Sequence, residues 1–346
     1  MGLLFFKKYK LFGMAIIITL VIMMAYQVIV FEKYNLVPGQ LVQTGQLNPH
    51  SVLILEVKTG MSLRSITKTL YQTPGVRKAP GFLFEAFVRF YKKGNCLKAG
   101  EYQLEPGITP KQLLAKMVKG DIVYYAFTII EGWTTLDLFD KLNQHPYIVR
   151  DAQSHLKPGF QSEGLFFPDT YYFSKGMTDV KFLNRSMQVL QKHLATQWQN
   201  RDPDIILKTP YEALILASII EKETAVASER VWVSSVFHER LKLNMPLQAD
   251  PTVIYGVGKD YKDKISSAML RQDTPYNTYV HKGLPPTPIA LPGLAAIHAA
   301  LHPQKILGLQ PYLYFVAKGD GTHYFSKTIT EHNAAVRKYI LEKKSK

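Results

Sequence analysis

The chain has 346 residues and a formal net charge of +15, with 42 lysines and arginines against 27 acidic residues. This length is ample for two domains and a sizeable core. The positive charge favours anionic surroundings such as nucleic acid, membrane lipid or an acidic polymer. The single cysteine, Cys96, excludes an internal disulfide and a zinc site built from a cysteine cluster. This cysteine content is compatible with the cytosol and equally with a bacterial periplasm.

The N-terminal segment predicts a membrane anchor. Residues 11–31 carry no formal charge and are long enough to span a bilayer as one helix, and Lys7, Lys8 and Lys10 precede them. Lysines before the span favour a cytoplasmic tail, residues 1–10, and place the rest of the chain outside. A cleaved signal peptide is the competing interpretation, but the apolar segment is too long and no small-residue cleavage site follows it. An outward-facing chain argues against nucleic acid as the partner.

The segment after the span is predicted to be a tether that leads to a small α+β module. Residues 32–50 contain turn-forming glycines and prolines and show no useful periodicity. Residues 51–128 contain a strand, a turn and a capped helix at 52–70, and a fainter copy of this unit at 102–117. An aromatic-rich helix is predicted over 82–91, with its aromatic residues in the core. The pattern resembles LysM-like modules, which bind glycan chains containing N-acetylglucosamine.

A larger mixed α+β domain is predicted over residues 129–346. It opens with a third copy of the strand, turn and capped helix, at 127–142. Near its end, residues 314–326 predict two strands joined by a hairpin-like turn, and His332 and Asn333 are predicted to open a last helix. The predicted fold class is therefore α+β, with an N-terminal transmembrane helix, a small LysM-like module and a larger mixed domain.

The central element of the larger domain is an apolar helix that leads into two carboxylates. Thr209, Pro210 and Glu212 have the spacing of an N-terminal capping box, and the apolar run behind them predicts a buried helix from Pro210 to about Ser228. On helical spacing, Glu221 shares its face with small or apolar residues, none of them basic. These neighbours are Leu214, Ala217, Ser218, Thr224, Ala225 and Ser228.

This setting favours a catalytic role for Glu221. An unpaired carboxyl group among such neighbours is poorly solvated, which raises its pKa toward the range of a general acid near neutral pH. The alternative is that the helix reaches the surface there and its acids are solvated. Glu223 is predicted to pack against the domain, because its helical neighbours are apolar. They are Ile219, Ile220, Val226 and Ala227.

One further segment has the composition of a sugar-binding site, and another predicts a loop with little entropy to lose on binding. Residues 163–171 combine carboxylates with aromatic side chains, which offer acceptors to sugar hydroxyl groups and flat faces to the ring; an aromatic-rich turn is the alternative. Residues 275–289 are rich in proline and predict a rigid extended loop.

His298 and His302 have a spacing that suits zinc, but no Glu follows His298 and no third ligand is indicated. Phosphate-cradling loops and nucleophile motifs do not occur in the sequence, so neither a metal nor a cofactor is expected.

Four ordered motifs together resemble the endolytic murein transglycosylase (YceG-like) family. They are ASIIEKET at 217–224, LQADPTVIYG at 247–256, YNTY at 276–279 with GLPP at 283–286, and FS at 325–326. The resemblance runs from the anchor to the last helix, with a mild departure at Leu165-Phe166-Phe167, where relatives often carry tryptophan. It implies a lyase that is anchored in the inner membrane with its C-terminal domain in the periplasm. Such an enzyme cuts peptidoglycan strands internally and terminates nascent strands.

The resemblance also implies site residues and partners. The catalytic glutamate of the family falls on Glu221. Substrate contacts are assigned to polar and aromatic residues, namely Glu163, Ser218, Gln248, Asp250, Thr252, Tyr255, Asn277, Thr278, Tyr279, His323 and Phe325. The expected partners are peptidoglycan strands, inner-membrane lipid and peptidoglycan synthases.

One carboxyl group is sufficient for the chemistry that the resemblance implies. Hydrolytic glycosidases usually need two carboxylates. In a transglycosylase, a hydroxyl group of the substrate itself attacks the sugar carbon whose bond is broken and closes a ring there. Two alternatives remain open. One is a lysozyme-like hydrolase, which leaves reducing ends rather than anhydro ends. The other is a non-catalytic anchor that binds nascent glycan through residues 51–128.

Overall fold

The computed structural model describes residues 2–38, 53–151, 157–258, 261–262, 264–305 and 310–342, with only the backbone of residues 2–9. Contacts between residues divide the chain into two compact units, Met1–Tyr125 and Ala126–Lys346. The mixed α+β class predicted from the sequence is confirmed, with one apolar helix at the N-terminus. The LysM-like resemblance and the residue boundaries of the domains stay predictions.

The first unit pairs two strands and packs helices against them. Its elements are α1 (Gly2–Phe31), β1 (Leu53–Val57), α2 (Leu63–Gln72), α3 (Gly81–Phe90), β2 (Gly100–Leu104) and α4 (Pro110–Lys119). Strands β1 and β2 are antiparallel, with Leu53 opposite Leu104. The predicted caps are confirmed, since Ser62 accepts from the Ser65 N–H at 3.2 Å and Thr109 forms a capping box with Gln112.

Helix α1 is long and apolar enough to cross a membrane between Lys10 and Phe31, with a mean hydropathy of 2.5. Its apolar side chains are mostly exposed, but Val28 and Phe31 pack into the core of the first unit. Leu36 and Val37, which the sequence assigned to the tether, are buried in the same core. Most of the rest of the predicted tether lies outside the described residues.

The second unit is built around helices, with short strand pairs at its edges. Its strands are β3 (Tyr125–Thr128), β4 (Ile148–Val149), β5 (Thr170–Phe173), β6 (Met177–Thr178), β7 (Tyr314–Ala317) and β8 (His323–Ser326). Strand β3 pairs with β5, β4 runs parallel to β6, and β7 with β8 forms the antiparallel hairpin predicted from the sequence. Its helices are α5 (Thr135–Asn143), α6 (Asp179–Gln199), α7 (Pro210–Glu223), α8 (Arg230–Lys242), α9 (Asp250–Val257), α10 (Ser267–Arg271), α11 (Leu294–Leu301) and α12 (Ile329–Val336).

Helix α7 is the centre of the second core. All of its residues from Ala213 to Ile220 are buried, and it packs against α11, α8 and α6. The predicted N-terminus is confirmed, because the Thr209 hydroxyl accepts from the Glu212 N–H at 3.1 Å. The Glu212 carboxylate accepts from the Lys208 N–H at 2.6 Å, one residue before the position that a full capping box would use.

Two predicted helix boundaries are wrong. Helix α7 ends at Glu223 rather than near Ser228, because Thr224 is extended and its hydroxyl accepts from the Val226 N–H at 3.1 Å. A single 3₁₀ turn follows before α8 begins at Arg230. The last helix begins at Ile329 rather than at His332, since Thr328 caps it.

Candidate active site

Glu221 lies in the last turn of α7, between two hydrogen-bond donors. Its side chain is 5% exposed, and its Oε1 accepts from the Arg230 guanidinium at 3.0 Å. Its Oε2 accepts from the Gly293 N–H, also at 3.0 Å, at the start of α11. The prediction that this acid is unpaired is therefore wrong. Arg230 reaches it from the next helix, because α7 stops early and the chain turns back.

The surroundings of Glu221 act on its proton in opposite directions. Burial is the largest effect and raises the pKa of Glu221 above its ordinary value, and the negative charge of Glu131 adds to this rise. The Gly293 N–H, Arg230 and Lys222 oppose it, because they stabilise the carboxylate. The net direction is upward, as a general acid near neutral pH requires. This direction agrees with the one predicted from the sequence.

Glu131 lies beside this candidate site and was not predicted from the sequence. It belongs to the turn before α5, and this turn is joined to the segment before α11 by two backbone hydrogen bonds. The Gly132 N–H donates to the Leu291 carbonyl at 2.9 Å, and the Leu291 N–H donates to the Trp133 carbonyl at 2.7 Å. The Glu131 carboxylate lies so close to Gly293 that a Cβ there would overlap it. Glu131 and Glu221 are far apart in the sequence, so no local pattern joins them.

A second acidic cluster lies around Glu223. Burial raises the pKa of Glu223 to about 8, the negative charge of Asp250 adds to the rise, and Arg240 opposes it. Tyr279 donates its hydroxyl to Asp250 Oδ1 at 2.6 Å. Asp250 is exposed at the first residue of α9, and Tyr279 is partly buried. Two of the predicted substrate residues therefore lie together, beside an acid that the sequence assigned to packing.

Other polar residues of the predicted site form a hydrogen-bond network next to this cluster. Thr252 and Thr278 share a hydrogen bond between their hydroxyl groups at 2.8 Å, and the Gln248 N–H donates to the Thr278 carbonyl at 3.1 Å. Asn277 donates to three carbonyls of the segment around α10 and accepts from the Tyr279 N–H at 3.0 Å. Thr252, Thr278 and Asn277 are all buried, whereas Gln248 is exposed. The side chains of the three buried residues hold the loop around Asn277 in place, whereas the Gln248 side chain is open to solvent.

Three other predicted site residues are tied into the protein. Glu163 is buried and accepts from the Thr135 N–H at 3.0 Å, the Thr135 hydroxyl at 3.1 Å and the Tyr255 hydroxyl at 3.0 Å. Burial raises the pKa of Glu163, although these three donors oppose the rise. Ser218 donates to the Ile215 carbonyl at 2.7 Å and accepts from the Ile289 N–H at 3.0 Å, which joins α7 to the proline-rich loop.

His323 and Phe325 line an open depression of about 410 Å³ beside the β7–β8 hairpin. The Glu229 carboxylate holds His323 by two contacts, at 2.9 Å to its backbone N–H and at 2.7 Å to Nδ1. Trp232, which the sequence analysis did not assign, also lines this depression. Glu229 directly precedes Arg230, so the depression begins one residue from the ion pair of Glu221.

The two histidines considered for zinc have other partners. His298 Nδ1 lies 3.1 Å from Gln197 Oε1, and His302 Nδ1 lies 3.2 Å from Asp202 Oδ1. Within the described part of the chain, no group of three or more His, Cys, Asp or Glu side chains is placed to hold a metal ion.

An almost enclosed carboxyl group with a raised pKa, held by a cation and a backbone N–H, is a candidate acid/base site. A model of the YceG-like family matches residues 55–338, and the chain belongs to this family. A Bacillus subtilis (strain 168) protein named endolytic murein transglycosylase is 31% identical over 323 residues, which cover 84% of this chain and 86% of that protein.

More distant relatives extend the comparison. A Streptococcus pneumoniae (strain R6) protein with the same name is 26% identical over 339 residues, which cover 86% of this chain. This chain spans only 60% of that relative's length. A solved structure from Listeria monocytogenes, described as a putative YceG-like protein, is 29% identical. The match covers 82% of this chain and 98% of that one, with a TM-score of 0.47.

Proposed function

We propose that the chain is a membrane-anchored endolytic transglycosylase that cleaves the MurNAc–GlcNAc bond within peptidoglycan strands and leaves 1,6-anhydroMurNAc ends. The observation that carries this proposal is the Glu221 carboxyl group, almost enclosed and with its pKa raised by burial. The relatives named endolytic murein transglycosylase support the same reaction. Terminating nascent strands is the cellular role that we assign to it.

The first step uses Glu221 as an acid. Its carboxyl proton passes to the bridging oxygen as the bond from C1 of MurNAc to that oxygen breaks, and GlcNAc leaves with a free 4-hydroxyl group. Positive charge develops at C1 while Glu221 becomes a carboxylate. Arg230 and the Gly293 N–H, which contact the two carboxylate oxygens, stabilise that ionised form.

The second step uses the same group as a base. The Glu221 carboxylate takes the proton from the C6 hydroxyl group of MurNAc as O6 bonds to C1 and closes the anhydro ring. The proton lost in the first step is thereby recovered, and no water is consumed. Because the attacking hydroxyl group is already part of the substrate, no second carboxylate is needed to activate it.

Exposure separates two roles among the proposed substrate residues. Gln248 and Asp250 are exposed and would bind sugar hydroxyl groups, and Tyr279 and Tyr255 would offer ring faces. Thr252, Thr278 and Asn277 are buried and would act by holding these groups in place. His323 and Phe325 would contact the strand further along, in the depression beside Arg230. Glu163 and Ser218 would keep the surrounding loops rigid.

The N-terminal helix supports an anchor in the inner membrane with the second unit in the periplasm. Its apolar surface between Lys10 and Phe31 is mostly exposed, as lipid contact requires. In that setting the net charge of +15 faces lipid headgroups and the carboxylates of peptidoglycan. Peptidoglycan strands and inner-membrane lipid are thus the proposed partners, with peptidoglycan synthases as protein partners, and the first unit would bind glycan as LysM-like modules do.

A hydrolase is the second candidate, because Glu131 brings a second carboxylate close to Glu221. Hydrolytic glycosidases use such pairs, with one carboxyl group as acid and the other as base or nucleophile. The products separate the two reactions, since hydrolysis places oxygen from water at the new end. A non-catalytic glycan-binding anchor would cleave no substrate, which distinguishes it from both enzymes.

The test combines product analysis with one substitution. Purified glycan strands digested by the full chain in ¹⁸O-labelled water should yield 1,6-anhydro ends without label, measured by mass spectrometry. Glu221→Gln should lower the rate by about 10²–10⁴-fold, the usual cost of losing a general acid, while glycan binding remains. Label in the new ends would identify a hydrolase, and normal cleavage by Glu221→Gln would exclude this residue as the acid.

A further inference from the structure

Glu131 is an acid of the site that the mechanism above does not use. Its side chain is exposed, yet its carboxylate lies against the Cα of Gly293. The N–H of the same glycine donates to Glu221 Oε2 at 3.0 Å. We propose that Glu131 is a positioning residue of the active site, whose negative charge acts on Glu221 across Gly293 and, together with burial, favours the protonated form of Glu221 before substrate binds. This inference rests on the proposed role of Glu221 as the general acid.

The position of Glu131 is built into the fold. Two hydrogen bonds join its turn to Leu291, two residues before Gly293, and the Lys222 ammonium donates to the Gly132 carbonyl at 3.3 Å. Gly293 has a φ of −77°, which any residue adopts, so the backbone conformation does not require glycine there. A Cβ at this position would overlap the Glu131 carboxylate, so only glycine allows Glu131 to keep its present position. Glycine at this position therefore allows the carboxyl groups of Glu131 and Glu221 both to lie against the same residue.

Charged groups reach Glu221 from three elements of the second unit. Arg230 comes from α8, Lys222 lies on α7 itself, and Glu131 comes from the turn before α5. The cations and the Gly293 N–H favour the ionised form of Glu221, whereas Glu131 favours the protonated form. A group that donates a proton and later accepts one must be able to adopt both its protonated and its ionised form. In this arrangement Glu131 supports the starting state and Arg230 the state after proton transfer.

The first experiment removes the charge of Glu131. In the full chain with Glu131→Gln, the alkaline limb of the pH profile of kcat/KM should move down by about 0.5–1 pH unit, since the protonated acid is lost at a lower pH. The titration of Glu221 itself, followed by infrared difference spectroscopy against Glu221→Gln, should move equally. Arg230→Gln should move both in the opposite direction. Asp140→Asn removes an exposed acid of α5 and should move neither.

A second variant separates charge from general damage. Gly293→Ala keeps every charge and the backbone N–H, but its methyl group should push the exposed Glu131 side chain away. It should therefore reproduce the downward shift of Glu131→Gln and add nothing to it in the double variant. An unchanged Glu221 titration in both Glu131→Gln and Gly293→Ala would overturn the inference. Cleavage by Glu221→Gln would instead overturn the proposed function, and the infrared titration would still report the coupling.

Discussion

Two carboxyl groups at the end of α7 lie two residues apart and meet different surroundings. Glu221 contacts a guanidinium and a backbone N–H, which stabilise its ionised form. Glu223 faces the negative charge of Asp250, and burial raises its pKa to about 8. Acid/base roles follow from such differences between neighbouring groups. We therefore expect Glu221 to release and recover a proton between fixed donors, and Glu223 to remain largely protonated at neutral pH.

The raised pKa of Glu223 makes stability depend on pH. The pKa rises from 4.5 to about 8 on folding, so the folded chain holds a proton that the unfolded chain releases between these values. The free energy of unfolding should therefore fall as the pH rises through this window. We expect a fall on the order of 1–3 kcal/mol, which is less than the full pKa shift would give, because Glu223 is partly exposed and solvent screens its charge. Glu223→Gln should abolish this fall and be more stable than the unchanged chain at about pH 8.

Denaturant unfolding at about pH 5 and about pH 8 measures the difference. Asp140→Asn serves as the control, because it also removes one acid but lies exposed on α5. The same pH dependence in Glu223→Gln and in the unchanged chain would contradict the assignment. Near neutral pH, Glu223→Gln should cost far less activity than Glu221→Gln, because the amide replaces a group that is already neutral. A complete loss of activity in Glu223→Gln alone would identify Glu223 as the acid.

At the scale of the elements, the starts of α5 and α7 could be predicted, whereas the predicted start of α12 and end of α7 were wrong. Thr134 and Thr209 cap α5 and α7 as predicted, because a cap and its partner lie three residues apart and form a local signal. The end of α7 has no glycine or proline to mark it, and the extended Thr224 stops the helix through contacts with the following turn. Because α7 stops there, Arg230 can return to Glu221.

The contacts of the site could be predicted only in part. The sequence predicted Glu221 from the apolar run that precedes it, which is a local pattern, whereas the residues around Asp250 were assigned through the family resemblance. Glu131 and Gly293 join Glu221 only through the packing of the turn before α5 and α11 on α7. A single sequence contains no signal for such contacts, so both residues were missed.

Helix α1 carries a prediction about topology. Because Lys7, Lys8 and Lys10 precede a span of bilayer length, the N-terminus should stay in the cytoplasm and the second unit should lie outside. A reporter enzyme that is active only in the periplasm, fused after Lys346, should be active. Removing the positive charge before the span, with the three lysines changed to glutamine, should reduce that activity. Activity of a cytoplasmic reporter at the same fusion point, or a mature chain that lacks residues 1–31, would contradict the anchor.

At the scale of the whole molecule, each unit has a core of its own. One core joins the last turn of α1 to β1, β2 and their helices, and the other surrounds α7. In the first unit Glu101 is buried, and its carboxylate accepts from the Tyr125 hydroxyl at 2.8 Å. Glu221, Glu131, Arg230 and Gly293 all belong to the second unit. We therefore propose that the chemistry belongs to the second unit, and we keep glycan positioning as a prediction for the first.

This division of labour can be tested with a shortened chain. Because β3 begins at Tyr125 and pairs with β5, the chain should start at Tyr125 rather than at Ile129. Residues 125–346 should fold, as circular dichroism would report, and should cleave glycan strands with a higher KM, because the positioning unit is absent. The same shortened chain with Glu221→Gln controls for contaminating activity. A folded 125–346 chain that cleaves nothing at any substrate concentration would show that the first unit takes part in the chemistry.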